Sequence, residues 1–471
     1  MSGLYSSLNA TVKAISAHSR ALETAGKNLA NVNNPAYSRQ RVIYGDRGTV
    51  VTPTGAESLG LEVLGVQQLR DSLLDRQLMR EISLKSSFGA EQAGYQRAQA
   101  GLGQSVGASG ATDATSASAN GLGAALDRLF NSFQGLAASP TDVGARQTLL
   151  QNASILTDRF QLADTRLGQV QSDLDAQVGS DVSGVNTLLS TIANLNNQIG
   201  RFEVNAPGTA VDLRDERQAK LEELAAKIPV ELHDSPGGQV TVVAKDAAGA
   251  DVVLVDLATV QGTVAFDGTQ LTAGVPPTVL GLAAGSIKGS LTARDGAVQT
   301  LRSNLDLLAR QLVISVNAAY NPTGTTGDFF QATGTTAGSI RLDAGVTTSS
   351  LKASDGGAAG DNTVAVAIAQ LANRPFSTSG TPPDSIDGTL GSFYSNAVSD
   401  LGQSLAGANA RVDDQSNIER LVRSQRDTVS GVSLDEEMAD LMKYQRAFQA
   451  SSRVFSVIDD LLDGVVNRLG K

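Results

Sequence analysis

The chain of 471 residues contains no cysteine and no tryptophan, its aromatic content is 4%, and it has two histidines. Without cysteine there are no disulfides, no thiolate nucleophile and no Cys-ligated zinc or iron–sulfur site, so stability must come from packing, assembly or both. His18 lies in an N-terminal heptad pattern and His233 beside a Pro/Gly turn, neither with a second histidine nearby, so no metal site is expected. No stretch of about eighteen apolar residues exists, and the start MSGLYSSLNATVKAIS lacks a basic segment followed by an unbroken apolar run. The expectation is a soluble chain with neither membrane insertion nor a cleavable leader. Nor is there a Lys/Arg cluster, and the net charge of −11 repels phosphate backbones and anionic lipid heads. Nucleic acid is therefore not an expected partner, and no cofactor motif stands out.

What the chain does have is small residues and two heptad rows. Leu8, Ile15, Leu22 and Leu29 recur at steps of seven behind Leu4, which predicts a long coiled-coil helix ending near Asn33, where Asn-Asn-Pro blocks continuation. Ala10, Ala14, Ala17, Ala21 and Ala25 form a second stripe roughly opposite, smooth enough for neighbouring subunits to approach closely. At the other end Leu434, Leu441, Phe448, Phe455 and Leu462 step by seven, with Tyr444 and Ile458 between. In SLDEE, Ser433 can cap this helix and Glu436 can complete a capping box, with Gly431 as the break before it. Too few large apolar residues line either row to order an isolated helix, so both ends are expected to be mobile in the monomer and ordered in a complex.

Between the ends, 36–65 reads as an extended connection and 66–100 as a helix carrying Val66, Leu69, Leu73, Leu78 and Ile82. A Gly/Ser/Ala/Thr-rich loop covers 101–121. Helical periodicity runs over 122–228, interrupted at Pro140 and Pro207, and returns at 293–319 and 388–429. Short Val-rich runs such as QVTVVAKD and DVVLVDL make 229–290 a small antiparallel β-domain, and 321–384 reads as an irregular or β-rich insertion. The predicted class is mainly α with inserted β, a discontinuous multidomain chain. Its expected parts are terminal helices (1–35 with 432–471) paired as an antiparallel coiled coil, a helical middle domain (36–228, 291–320, 385–431), and β-rich outer domains at 229–290 and 321–384.

Catalytic patterns are weak. GLGQSVG at 101–107 follows a helix where a phosphate-binding fingerprint needs a strand. The acidic groups Asp435/Glu436/Glu437 and Asp459/Asp460 read as helix-terminal electrostatics and a solvated face.

The segment LANVNNPAYSRQRV, residues 29–42, resembles the N-terminal signature of flagellar axial proteins, through Asn31, Asn34, Pro35, Tyr37, Ser38, Arg39 and Gln40. Residues 430–466 resemble the C-terminal segment of the same proteins. RDSLLDRQL at 70–78, ASPTDVGAR at 138–146, IANLNNQI at 192–199, VDLRDERQAKLEEL at 211–224, GDFF at 327–330 and GDNTVAVAIAQL at 360–371 follow the order of the FlgK family of hook-associated proteins. One departure is Ala36, where that family usually has glycine, so a turn needing positive φ would be strained there. The resemblance implies a non-enzymatic structural subunit at the hook-filament junction, an extracellular mechanical adaptor exported without a cleaved signal. It implies contacts with copies of itself, with hook protein below and with the second junction protein and filament above, and an export chaperone on the C-terminal helix. Other axial positions (flagellin-like, second junction protein, hook or rod) and a carboxylate hydrolase within 229–290 or 321–390 stay open as alternatives.

Overall fold

The computed structural model describes residues 2–46, 48–52, 55–58, 60–103, 121–324, 327–356 and 360–468. Most of the expected loop 101–121, and with it most of GLGQSVG, lies outside these residues. Helix α1 (Ser2–Ala30) leads into an antiparallel ribbon of β1 (Gln40–Asp46) and β4 (Leu61–Gln68), with β2 (Thr49–Thr52) pairing β3 (Gly55–Ser58) between them. Helices α2 (Ser72–Leu102), α3 (Leu122–Ala138), α4 (Val143–Glu203) and α5 (Val211–Lys227) follow. Seven short strands come next: β5 (Glu231–Asp234), β6 (Val240–Lys245), β7 (Asp251–Asp256), β8 (Thr259–Val260), β9 (Ala265–Phe266), β10 (Leu271–Ala273) and β11 (Thr278–Val279). The chain returns to helix in α6 (Ser286–Ala293), a π-helical turn at Arg294–Val298, α7 (Gln299–Tyr320), α8 (Thr363–Gln370), α9 (Leu390–Ser430) and α10 (Leu434–Arg468).

The chain is thus mainly helical with inserted antiparallel β-structure, and the terminal helices pack on each other. The helix expected over 66–100 begins later, and Val66 is a strand residue paired with Val42. Gln40–Gln68 cross-strand pairing claims the segment up to residue 68, and the Asp71 carboxylate then caps α2 by accepting from the amides of Leu73 and Leu74 at 2.8 and 3.4 Å.

The residues fall into two compact units, 1–85 with 182–285 and 415–471, and 86–181 with 286–414. In the second unit one apolar core joins α3, the first part of α4, α7, α8 and α9. Phe329 and Phe330 sit in it, with Phe329 5.3 Å from Phe133 and 5.5 Å from Tyr320 between ring centroids. Ile340, Leu351, Val364, Ile368 and Phe376 are buried in the same core, so 321–384 shares its interior with the surrounding helices. Gly94 and Gly289 let α2 and α6 cross closely: a methyl group added at Gly289 would lie 2.0 Å from the Ser87 carbonyl oxygen.

In the first unit β5–β8 form a four-stranded antiparallel sheet in sequence order, and β9–β11 a three-stranded one. Val242, Val243, Leu254 and Val255 are buried, which explains the Val-rich runs. Arg217 of α5 is buried there and donates to Asn196 Oδ1 and to the Gly238 carbonyl, both at 2.8 Å, while Asn196 donates to the carbonyls of Val240 and Leu257. Burial pushes the Arg217 guanidinium down to about 10, with Arg214 adding to the effect.

Candidate assembly interface: the terminal helices and their clasp

The α1/α10 pair is antiparallel: Asn28, near the end of α1, bonds Glu437 at the start of α10, and further along Ile15 shares a surface groove with Phe448. Along α10 the positions 437, 441, 444, 448, 451, 455, 458 and 462 are shielded at alternating steps of four and three, with 440, 447, 452 and 464 half-buried beside them. Leu441, Tyr444, Phe448 and Phe455 are half-buried, and Ile458 and Leu462 buried. Leu434 is 47% exposed, so the shielded row begins one step later, at a charged residue. Leu4, Leu8, Ile15, Leu22 and Leu29 of α1 are half-buried.

The most buried face of α1 is the alanine stripe, with Ala17, Ala21 and Ala25 at 1–3% exposure. Expected to face other subunits, this stripe is covered within the chain instead. Ala21 and Ala25 line a cavity of about 220 Å³ together with Arg41 and Val42 of β1 and Asp440 and Tyr444 of α10, so the small side chains serve a close three-way approach of helix, ribbon and helix.

The stripe continues one turn on in Asn28, 1% exposed and the centre of a polar clasp. Its side-chain nitrogen donates to the Gln40 carbonyl at 2.9 Å and to Glu437 Oε2 at 3.0 Å, and its oxygen accepts from the Tyr37 hydroxyl at 2.8 Å and the Gln40 amide at 3.0 Å. Arg39 reaches α10 by Nε to Glu437 Oε1 and Nη1 to Glu436 Oε2, both at 2.6 Å, and its amide donates to the Ser430 carbonyl at 2.8 Å. Glu437 is 2% exposed, so its carboxylate does not belong to a solvated face, and Glu436 faces Arg39.

A second tier ties in α5 and α9. The Ser38 amide donates to Asp215 at 3.4 Å, and Gln40 and Lys27 donate to Asp212 at 2.9 and 2.7 Å. Arg70 bridges Asp215 at 2.8 Å and Asp75 at 3.2 Å, while Arg426 donates to the Pro35 carbonyl at 2.8 Å and to Glu222 at 2.9 Å. Asn31 donates to the Lys27 carbonyl, and Asn34 accepts from the Ala36 amide at 3.2 Å. That Asx turn replaces the glycine turn: Leu257 is the positive-φ residue other than glycine among the described ones, so Ala36 carries no such strain.

Burial is the main influence on the titrating groups, and it pushes the Tyr37 hydroxyl well above its usual range, reinforced by Asp215, Asp212 and Glu437. Tyr37 is therefore a neutral donor. For Arg39, burial works toward a lower value but the Glu437 and Glu436 carboxylates outweigh it and hold the guanidinium higher than usual. Asp215 and Asp75 are raised by burial despite Arg70, whereas Asp212 is lowered because bonds from Lys27 and Gln40 overcome its desolvation. These carboxylates are engaged by guanidinium, ammonium or amide groups, which suits them to holding five chain segments together.

Sequence reasoning found Tyr37, Ser38, Arg39 and Gln40 but missed Asn28, Glu437, Asp215, Arg70 and Arg426. Asn28 carried a signal, a polar residue in register with Ala21 and Ala25, and Arg70 and Asp215 lay inside segments already singled out for resemblance. Of the two histidines, His233 is 4.0 Å from Asp251 on the β-domain surface. The described residues hold no cluster of three or more metal-ligating side chains and no helix long and apolar enough to cross a membrane.

In sequence the chain is similar to known flagellar proteins. Residues 110–330 match the model of the flagellar hook-associated protein FlgK helical domain, and 423–469 that of the flagellar basal body rod FlgEFG protein C-terminal region. Flagellar hook-associated protein 1 of Bacillus subtilis (strain 168) is 26% identical over 100% of this chain and 99% of its own length. Its counterpart of Escherichia coli (strain K12) is 24% identical over 98% of this chain and 99% of its own. The flagellar hook junction protein FlgK from Burkholderia pseudomallei overlaps 54% of this chain and 46% of its own at 21% identity and a TM-score of 0.46. The helical middle and the C-terminal segment thus match models of flagellar proteins, and along nearly its whole length the chain is similar to the flagellar hook-associated protein 1 of Bacillus subtilis and of Escherichia coli.

Proposed function

We propose that this chain is a structural subunit of the flagellum that polymerises through its terminal helices at the junction of hook and filament, and that it does no chemistry. The observation that carries the reading is apolar surface left on α10 outside its contact with α1. Met438 and Met442 on one flank, and Val454, Val457 and Leu461 on the other, are each about half exposed although one face of the helix is already covered by α1. A helix that keeps such side chains uncovered is suited to further helices from neighbouring copies. Head-to-tail contacts of that kind generate rings or open helices, which is the geometry an adaptor between two polymers needs.

In this reading Leu4, Leu8, Ile15, Leu22 and Leu29 meet Leu441, Tyr444, Phe448, Phe455, Ile458 and Leu462, while Leu434 and the uncovered apolar side chains of α10 meet other subunits. Hook protein lies below, the second junction protein and filament above. Export proceeds without a cleaved leader, with a chaperone on α10 before assembly. The clasp fixes the base of the helix pair, and the far ends of α1 and α10 order fully on assembly.

Removing residues 1–32 or 434–471 tests this in cells. Each truncation is expected to leave hooks without filaments by electron microscopy and filament protein in the medium. Normal filaments from both truncated chains would refute the terminal-helix mechanism.

A further inference from the structure

A mostly apolar cavity of about 280 Å³ lies between α2 and the β-domain, lined by Met79, Ser83 and Leu84 on one side and Val230, Val243 and Ala284 on the other. It continues into a groove between Arg76, Met79 and Arg80 of α2 and residues 230–233, because the two share Met79, Arg80, Val230 and Glu231. Three separate features converge here. Ser83 is 3% exposed and its Oγ has no hydrogen-bond partner, although the side chain lines the cavity. Strand β5 is the edge of its sheet, paired to β6 on one side only. Arg80 is exposed on the rim with no ion pair among the described residues, whereas its neighbours Arg76 and Lys245 are neutralised by Asp234 and by Glu231 and Asp251.

We propose that this groove binds an extended polypeptide segment of a partner protein, added to the free edge of β5, with a large apolar side chain in the cavity and a carboxylate on Arg80. An open strand edge offers unpaired backbone donors and acceptors that an extended peptide satisfies. The cavity, at about 280 Å³, falls just below the range of roughly 300–1,000 Å³ typical of drug-sized ligand sites. One or two side chains fill it; a cofactor does not fit. A polar atom on the inserted side chain or its backbone would give Ser83 Oγ its missing partner, and the lone cation at the rim selects an acidic residue over a basic one.

The test uses the full-length chain and an array of fluorescein-labelled seven-residue peptides rich in Thr and Val, with Phe, Leu, Met or Ala at the centre and Glu or Lys two positions away. Fluorescence anisotropy is expected to show Phe, Leu or Met with Glu binding at least about tenfold tighter than the Ala or Lys versions. N-methylation of alternate peptide amides should abolish binding, because it removes the ladder donors. Ala283→Trp, at an exposed position on the cavity wall, should block it, and Arg80→Glu should weaken it roughly fivefold or more and reverse its charge preference. No binding across the array, or binding indifferent to N-methylation and to Ala283→Trp, overturns the proposal. So does concentration-dependent self-association of the chain that Ala283→Trp abolishes, which would make a second copy the occupant, or displacement of the peptide signal by decanoate binding alone.

Discussion

The clasp makes a sharp prediction at Asn28, where Ala and Asp substitutions should rank in the order opposite to their resemblance to asparagine. Alanine removes four hydrogen bonds at once and leaves the Gln40 amide and carbonyl, the Tyr37 hydroxyl and one Glu437 oxygen to find other partners. Each buried polar group stranded in this way costs about 1–3 kcal/mol. The polar cavity of about 220 Å³ alongside lets water replace part of the loss, so Asn28→Ala should destabilise the clasp by about 2–4 kcal/mol. Aspartate keeps the two acceptor contacts but loses both donors, and it sets a second carboxylate at the 3.0 Å position now held by the amide nitrogen beside Glu437. At an effective dielectric near 20 that repulsion is about 5 kcal/mol before Arg39 and proton uptake relieve it. Asn28→Asp should therefore be worse than Asn28→Ala at pH 7. The new pair holds a proton more tightly folded than unfolded, so its penalty is present above the unfolded carboxyl value and shrinks as pH falls toward about 5. Hydrogen exchange across residues 36–44 and 434–445, together with urea unfolding, measures both variants. An aspartate variant as protected as the parent chain, or an alanine variant within about 0.5 kcal/mol of it, would refute the geometry of the clasp.

Three further outcomes follow from other parts of the molecule. Gly289→Ala places a methyl 2.0 Å from the Ser87 carbonyl oxygen, so α2 and α6 must separate and thermal stability should fall by about 1–3 kcal/mol. A Gly135→Ala control, at a position with nothing within 4 Å, should hold or raise the melting temperature. Arg426→Met strands the Pro35 carbonyl and Glu222 and should cost about 3–5 kcal/mol, read as lost exchange protection at residues 33–40. Asp212, Glu203 and Glu419 are lowered from ordinary values of 3.8, 4.5 and 4.5, each by bonds from cations or amides that overcome its burial. Their contribution is present above those values and is lost as pH falls through the lower folded ones. Acid titration should consequently weaken the chain below about pH 4.5, and Lys27→Met should flatten the part due to Asp212.

How much of this was legible in the sequence depended on whether a feature was periodic or tertiary. The helices broken at Pro140 and Pro207, the Val-rich strands and the heptad rows at both ends are local patterns, and α3, α4, α5, β6, β7, α1 and α10 appear close to where those patterns place them. The β1–β4 ribbon was not visible, because Val66 and Leu69 fit a helical period as well as a strand and only pairing with residues 40–46 decides between them. The alanine stripe was visible but its occupant was not: periodicity gives a face and says nothing about what covers it. For the clasp, the bonds that tie in α5, α9 and α10 span 145 to 409 residues of sequence, a separation no local rule spans. Glu437 looked like helix-terminal charge until Arg39 and Asn28 supplied its partners.

The same clasp answers a problem that the heptad rows create. Leu8, Ile15, Leu22 and Leu29 are interchangeable at steps of seven, as are Leu441, Phe448, Phe455 and Leu462. Apolar matching alone therefore scores a helix pair slid by one heptad, about 10 Å, almost as well as the observed one. Glu437 breaks this degeneracy because it sits in the shielded row at the place of an apolar residue. It meets Asn28 and Arg39 in the observed register, and a slide of one heptad along α1 sets its carboxylate at Ala21, which offers no side-chain donor. A polar group in a helical seam lowers stability and selects alignment. For a chain whose uncovered apolar side chains on α10 are proposed to meet further copies, alignment is what matters. An error of one heptad within a subunit would be copied into every contact that those side chains make.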